Sequence, residues 1–409
     1  MGNIEMKRAE IITGDVLEVL PTLKSESVQT VITSPPYWRQ RDYGVEGQLG
    51  LEETIEEYIE NLVVVFREVR RVLRKDGTLW LNVGDTYNGS GKGGGGNSFQ
   101  EINVGSLSVR GKSTWESSLK SKDLCMIPAR VAIALQADGW WLRSDIIWHK
   151  PNPMPSSVTD RPTTCHEYLF LLTKSAKYYY DYVAIMEETT GNAHHRGHGV
   201  NPKAAGRNSR IYQDRDPQHS SERKIRPKQN ESFSRAVNRI VSRRNKRSVW
   251  TIATQPFSDE HFATFPEKLV EPCILAGSSE VGACPECGKP WERIVKMKLS
   301  FESGSGKAGN VPVGKNPEGV QGGGMTGDIR LGPCVHTKTI GWECNCNCGY
   351  TRKDAVPCVV MDPFCGSGTT GVVALKHRRD FIGIELNPEY VDMAEKRMTP
   401  YLNQKELAL

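Results

Sequence analysis

Short apolar runs alternate along the chain with stretches whose apolar residues recur every three or four positions. AEIITG, VQTVITS, GTLWLNVG, LRSDIIWHK and HEYLFLLTK read as strands in the first 185 residues, and CVVMDP and DFIGIEL as two more near the C-terminus. Between VQTVITS and GTLWLNVG, Ile55, Ile59, Leu62, Val63 and Phe66 fall on one helical face. GTTGVVALKH supplies the helix between the last two strands. Strands that alternate with helices build a mostly parallel sheet covered on both faces, so the expected fold is doubly wound α/β.

Three pieces interrupt this pattern. NGSGKGGGGNSF, Asn88 to Phe99, is too glycine-rich for a packed element and reads as a loop. A segment from Gly191 to Arg247 has few large apolar residues, and a third, Cys284 to Cys348, is flanked by cysteines around a glycine-rich centre. The expected organisation is two halves of one catalytic domain, 1–187 and 353–409. Between them lie a basic insert at 188–249, a helical segment at 250–280 and a cysteine-flanked insert at 281–352.

Charge changes this picture in one place. From Arg196 to Arg247 there are 15 Lys and Arg against 4 Asp and Glu, a net +11, whereas the whole chain carries +5, which leaves −6 for the remainder. A basic block in an otherwise acidic chain points to a polyanion, with a solvated basic loop as the plain alternative. No run approaches the ~18 apolar residues that span a bilayer. Eleven cysteines without a signal peptide suit reduced thiols or a metal. A cytoplasmic protein with no membrane partner is expected.

Thr33-Ser34-Pro35-Pro36-Tyr37-Trp38 ends the second strand abruptly. Prolines often just stop a strand, and aromatic residues after a turn are often core. Taken together, though, a short hydroxyl, stiffened carbonyls and a ring suit a planar amino-bearing group: the oxygens accept its hydrogens while the ring stacks on its face. A nucleobase has that shape. The second signal, Asp362-Pro363-Phe364-Cys365-Gly366-Ser367-Gly368-Thr369-Thr370, lies between a strand and a helix, where glycines let backbone amides approach a ligand. Glu385 ends the next strand, in the place of the acid that holds ribose hydroxyls in dinucleotide folds. The loop has no phosphate-binding lysine, so an adenosine ligand without phosphates fits better than a nucleotide.

DPFCGSGTT and TSPPYW together resemble the cofactor and catalytic motifs of DNA amino-methyltransferases. These enzymes move a methyl group from S-adenosylmethionine to the exocyclic nitrogen of cytosine or adenine. With the catalytic motif first and the basic segment between the two, the order is similar to the beta group, a circularly permuted arrangement of the Rossmann-like methyltransferase fold. The resemblance implies that AEIITGD supplies the third strand of the sheet. It places Asp15 at the adenine amino group, Glu385 on the ribose with Asn387 beside it, and the 362–370 loop around the methionine part. HFATFPEKLVEPCILAGS resembles the other cofactor-side helix, with Pro266 in its first turn and Phe265 against the cofactor. In the catalytic motif, Tyr37 would stack on a flipped-out base, Trp38 and Pro36 would shape the walls, and Ser34 with the Pro35 carbonyl would accept from the amine. SPPY is commoner among the cytosine-N4 members, which favours cytosine over adenine. The implied partners are double-stranded DNA and, in a restriction–modification setting, a separately encoded endonuclease.

Arg39 and Arg41 follow the catalytic motif and suit phosphate contact or a surface pair with Asp42. KPNPMPSSVTDRPTTCHEYLFLLTKS holds an extended path beside the expected DNA-facing edge, with His166 and Glu167 read as ordinary core hydrogen bonders. In the basic insert, Arg207, Arg210, Arg243 and Arg244 are candidate readers of base edges. Cys284-Pro-Glu-Cys287-Gly and Cys346-Asn-Cys348-Gly look like two knuckles of a structural zinc site, with Cys334, His336 and Cys344 as competing ligands. A cytosine-C5 mechanism would need a cysteine nucleophile beside the pocket, and TSPPYW has none. A zinc-containing DNA-binding protein without catalysis is the reading from another class; the intact Ser34–Tyr37 and glycine loop stand against it.

Overall fold

The computed structural model describes residues 8–88, 119–188, 240–241, 243–255, 265–301 and 333–402. Most of the glycine loop from Asn88, most of the basic segment with Arg207 and Arg210, and the centre of the cysteine-flanked insert lie outside the described residues. The chain divides into two units. One comprises Met1–Ile185, Lys246–Arg293 and Gly341–Leu409, and the other Met186–Asn245 and Ile294–Ile340.

The first unit is built on eight strands: β1 (Ala9–Thr13), β2 (Val28–Thr33), β3 (Leu73–Val83), β4 (Trp141–His149), β5 (His166–Thr173), β9 (Val249–Thr251), β12 (Val359–Asp362) and β13 (Asp380–Glu385). Their order across the sheet is β1-β13-β12-β2-β3-β5-β4-β9. Neighbours run parallel except at β5, which is antiparallel to both β3 and β4. The N-terminal strand thus pairs with the C-terminal one, Thr13 opposite Glu385, as the permuted order requires.

Each of the six residues of β2 is buried, the mark of a central parallel strand covered on both faces. Its polar side chains are satisfied inside: Thr30 Oγ1 lies 2.9 Å from Thr78 Oγ1 on β3. Gly277 ends helix α4 (Glu267–Gly277) against this pair, and a Cβ there would come within 2.5 Å of Thr30 Oγ1. Helix α2 (Ile55–Val72) begins at Thr54, whose hydroxyl accepts from Glu57 N at 3.1 Å. Its buried face carries Ile55, Tyr58, Leu62, Val65, Phe66 and Val69, whereas Ile59 and Val63 are only half-buried. The face is rotated from the one expected because Tyr58, an amphipathic residue, turns inward and donates to Pro36 O at 2.8 Å. Helix α3 (Ile127–Ala137), which the sequence reading did not identify, packs beside α2. Helices α5 (Thr369–Lys376) and α6 (Pro388–Leu402) follow β12 and β13. No described helix is long and apolar enough to cross a membrane.

In the second unit, β6 (Glu187–Glu188) is antiparallel to β8 (Arg243–Arg244), and β7 (Ile240–Val241) runs parallel to β11 (Pro333–Glu343) with β10 (Glu292–Phe301) on the far side of β11. Arg244 Nε lies 2.7 Å from Glu187 and Arg243 Nε 3.3 Å from Glu188, and Arg243 also donates to Met186 O. Both guanidiniums, expected to read bases, are therefore engaged in closing this ribbon.

Candidate functional site

β12 and β2 are neighbours at the point where successive connections turn to opposite sides of the sheet, and ligands in open α/β sheets bind at such a switch point. Both loops singled out from sequence leave the carboxyl ends of these two strands. Asp362 joins them. Its carboxylate is 1% exposed, with Oδ1 accepting from Thr33 Oγ1 at 2.6 Å and Phe364 N at 3.1 Å, and Oδ2 accepting from Thr370 Oγ1 at 2.7 Å. Burial raises its pKa to about 7. Asp362 faces inward and ties three elements together.

The other members of the glycine loop divide the same way. Ser367 is buried, and Arg397 donates to its carbonyl, to its hydroxyl at 2.8 Å and to Thr369 Oγ1 at 3.2 Å. Thr369, Thr370 and Pro363 are also buried, so what this loop can offer a ligand comes chiefly from its backbone. Cys365 is 5% exposed with its thiol pushed well above its ordinary pKa by burial, a packed residue rather than a nucleophile. Phe364 and Gly366 remain half-buried. Gly366 has φ +52°, and a Cβ built there would meet nothing within 4 Å, whereas one on Gly368 (φ +78°) would lie 2.7 Å from Ala394 Cβ. Open space thus lies beside Gly366 and a packed wall beside Gly368.

Glu385 closes this side. Its Oε2 accepts from Gly366 N at 2.7 Å and its Oε1 from Asn387 N at 2.9 Å, while burial raises its pKa. The Leu386 backbone amide also acts on this carboxylate, which accepts in about four directions. Asp15 follows β1, caps helix α1 (Val16–Val19) by accepting from Leu17 N at 2.7 Å, and lies 3.5 Å from where a Cβ on Gly47 would be. The segment after Trp38 therefore folds back over the ends of β1 and β13. It brings Tyr43, whose phenol pKa burial raises and on which Glu385 also acts, edge-on to Tyr390 at 6.2 Å between centroids. Sequence reasoning missed both rings; an aromatic just ahead of three glycines in DYGVEGQLG was the available signal for Tyr43. On the helix α4 side, Pro266 is the N-cap residue and Phe265 is half-buried against the neighbouring core.

At the end of β2, Pro35 is buried and Ser34, Pro36 and Tyr37 are half-buried. Tyr37 Oη lies 3.2 Å from Ser34 Oγ, 3.1 Å from Asn82 Oδ1 and 2.9 Å from Glu167 Oε2. Burial, then Glu167, pushes the Tyr37 phenol well above its ordinary pKa, so it stays protonated. A Cβ on Gly84 would fall 2.5 Å from Tyr37 Cε2, so that glycine makes room for the ring. Two residues expected on the DNA side have intramolecular partners here. Trp38 is 3% exposed and donates from Nε1 to Glu52 O, a core residue rather than a pocket wall. Arg39 stacks over the Trp38 ring at 4.5 Å and donates to the Glu52 and Glu53 carbonyls, holding the loop. Arg41 is half-buried.

Away from these loops, the Sγ atoms of Cys284, Cys287, Cys346 and Cys348 lie within 4.8 Å of one another. Sulfurs around a tetrahedral zinc stand about 3.8 Å apart at a Zn–S distance of about 2.3 Å, so the set fits that ion. Gly288 N donates to Cys284 O at 2.8 Å and Cys284 N to Lys289 O at 2.9 Å, forming the first knuckle around Gly288 at φ +68°. Cys344 stands beside the four, its Sγ 3.4 Å from that of Cys346. The knuckle rests on the sheet: Gln29 donates to Gly288 O at 3.0 Å, and Arg74 donates to Cys287 O.

An α/β sheet with an acid-pinned glycine loop beside a Ser-Pro-Pro-Tyr turn defines a class of nucleobase-modifying methyltransferases, and comparison places the chain within it. Residues 28–284 and 357–396 match the DNA methylase model of N6 and N4 methyltransferases, and the chain belongs to that family. It is similar to the type II methyltransferase M.Cfr9I of Citrobacter freundii, 36% identical over 395 residues that cover 97% of this chain and 89% of that protein. It is also similar to M.SmaI of Serratia marcescens, 35% identical over 393 residues, covering 96% and 91%. Among solved structures, the PvuII DNA methyltransferase (cytosine-N4-specific) covers 97% of this chain and 91% of its own at 16% identity and a TM-score of 0.48.

The raised pKa of Asp362 predicts how stability varies with pH. An ordinary Asp loses its proton near pH 3.8, whereas folded Asp362 holds it to about pH 7. Between these values the folded state binds the extra proton, so this group's contribution favours folding at the acid end and falls as pH rises. Urea unfolding of wild type and Asp362→Asn between pH 4 and pH 8 should show the wild type losing stability relative to the variant as pH rises. Parallel curves would show that Asp362 titrates as an ordinary carboxyl.

Proposed function

We propose that this chain transfers the methyl group of S-adenosylmethionine to the exocyclic N4 amine of a cytosine turned out of double-stranded DNA, as the modification enzyme of a type II restriction–modification system. The observation that carries the proposal is the bond from Thr33 to Asp362, which draws the amine-accepting turn and the glycine loop to one switch point. The type II relatives support DNA as substrate.

On this reading the target base leaves the duplex, at a cost of a few kcal/mol that stacking and edge contacts offset. Tyr37 offers its ring to the base, and Ser34 Oγ with the Pro35 carbonyl accepts from the amine, drawing nitrogen lone-pair density toward the methyl. When bound, S-adenosylmethionine supplies a methyl activated by its sulfonium. Gly366 leaves room for its backbone contacts, Glu385 keeps acceptor capacity for a ribose hydroxyl, and Asp15 with Tyr43 borders the adenine side. Holding the amine ~3 to 3.5 Å from the methyl and in line with sulfur supplies much of the rate. Cytosine rests on Ser34, the residue typical of SPPY turns in the cytosine-N4 members.

We further infer a structural zinc held by Cys284, Cys287, Cys346 and Cys348. Four thiolates close the coordination shell, leaving no position for water, so the ion would stabilise and not catalyse. Metal analysis of protein purified without chelator is expected to find about one zinc per chain, with Cys284→Ser lowering both metal content and melting temperature. Stable, fully active metal-free protein would mean plain thiols.

The two glycines separate cofactor binding from folding. Gly366→Ala adds a Cβ to open space at a strain of ~1 to 2 kcal/mol and should weaken S-adenosylmethionine binding in calorimetry by at least about tenfold. Gly368→Ala should chiefly lower the melting temperature through its clash with Ala394. Unchanged affinity in folded Gly366→Ala would remove the loop from the cofactor site.

Product analysis decides the base. DNA methylated by the protein and digested to nucleosides should release N4-methylcytosine, separated by chromatography from its C5 isomer of equal mass. N6-methyladenine would overturn the reading of Ser34 and leave the amine mechanism intact, while 5-methylcytosine would defeat the mechanism.

A further inference from the structure

Tyr37 Oη sits among three side-chain oxygens from three different elements, and their chemistry fixes the direction of every proton. Glu167 on β5 offers a carboxylate at 2.9 Å. Asn82 on β3 donates through Nδ2 to Tyr168 O at 3.0 Å, which turns its Oδ1 toward Tyr37 at 3.1 Å. Both are acceptors, so the single phenolic proton is committed to them, with the charged carboxylate the stronger partner. Only lone pairs of Tyr37 Oη then face Ser34, and the Ser34 hydroxyl must donate across the 3.2 Å between them. With its proton turned away, Ser34 Oγ presents lone pairs to whatever occupies the pocket.

The far end is anchored as well. Lys150, a donor only, binds the other oxygen of Glu167, and its ammonium lies 4.3 Å from the centre of the Trp148 ring. The Lys150 and Glu167 side chains are each only about one-fifth exposed, at 20% and 18%. Cross-strand pairing of Trp148 with Glu167 holds the two in register. The chain of donors runs from Lys150 and from Ser34 toward the same carboxylate.

We propose that Glu167, held by Lys150, is a positioning residue for methyl transfer: acting through the Tyr37 hydroxyl, it sets Ser34 Oγ as an acceptor aimed at the target amine. The proposal rests on Ser34 and Tyr37 forming the base pocket. It also gives the pocket a preference, because a base with a carbonyl in place of the amine would set acceptor against acceptor.

Glu167→Gln tests this at constant shape. Lys150 can only donate, so glutamine must turn its oxygen to Lys150 and present Nε2 to Tyr37 as a donor, which competes with Ser34 and reverses the relay. Single-turnover methyl transfer from labelled S-adenosylmethionine to unmethylated plasmid DNA should slow by at least about tenfold, with cofactor affinity unchanged and the variant still folded at the assay temperature. Tyr37→Phe keeps the ring and removes the relay, so it should slow the reaction similarly, and the double variant should be no slower than Tyr37→Phe alone. A wild-type rate in Glu167→Gln, or losses that multiply in the double variant, would overturn the role of Glu167. An active wild type in that same experiment keeps the proposed function standing, whereas an inactive wild type would overturn the function itself.

Discussion

One buried carboxylate holds the site together. Asp362 receives hydrogen bonds from Thr33 at the end of β2 and from Thr370 in the first turn of α5, besides its own loop amide at Phe364. β2 and β12 are already paired through Val360–Thr30 and Met361–Val31, so the sheet sets their spacing, and Asp362 fixes what happens one residue beyond the ladder. Burying such a group costs free energy unless every oxygen is met, and the two threonines meet it. The two loops consequently cannot move independently. For a reaction that needs a methyl group and an amine aligned to within a fraction of an ångström, that rigidity is the central requirement.

Around this link, each flank solves a different problem. On the β13 side, Glu385 accepts from Gly366 and Asn387, and Tyr43 is carried there by a segment that starts at the catalytic turn itself. The loop from Arg39 to Thr54 is thus shared between the base side and the cofactor side. Arg39 and Trp38 keep it in place by binding Glu52, which is why two residues that looked like DNA contacts turn out to be supports. On the β5 side, Glu167 and Asn82 hold the one hydroxyl that faces Ser34.

Much of this was legible in the sequence, for reasons that can be named. All seven strands read from apolar runs exist: the central parallel strands β2 and β12 are buried throughout, while β1 at the sheet edge and β4 with its alternating exposure still carry enough apolar residues to be read. The placement of AEIITG beside DFIGIEL followed from motif order, and pairing of Thr13 with Glu385 carries it out. Side-chain direction was not legible. Asp362, Ser367, Thr369 and Thr370 all occupy the expected loop, yet their oxygens turn inward, because a motif records positions along the chain and not the rotamers that neighbours such as Arg397 impose. Glu167 was read as core because its partners, Tyr37 and Lys150, are distant in sequence, Lys150 just beyond the end of the neighbouring β4. Helix α3 was hidden by the lack of a side-chain cap at Met126, which has a left-handed backbone.

The cysteine cluster shows how an added element can matter to a site it does not touch. The family match stops at 284 and resumes at 357, so the second knuckle and most of the insert lie outside the shared part of the fold. Even so, the cluster's nearest structural debts are to the shared sheet. Gln29, at the start of β2, donates to Gly288 O and accepts from Val359 N at 2.6 Å, so one side chain spans the knuckle, β2 and β12. These are the two strands whose opposite ends carry Ser34 and Asp362. Their length separates the cluster from the chemistry, and a closed shell of four thiolates would offer it no reactive position. What it can transmit is register: a knuckle locked at the amino ends of β2 and β12 resists the sliding of one strand past the other that would pull Thr33 away from Asp362. Gln29 thus joins β2 and β12 at one end as Thr33 and Asp362 join them at the other.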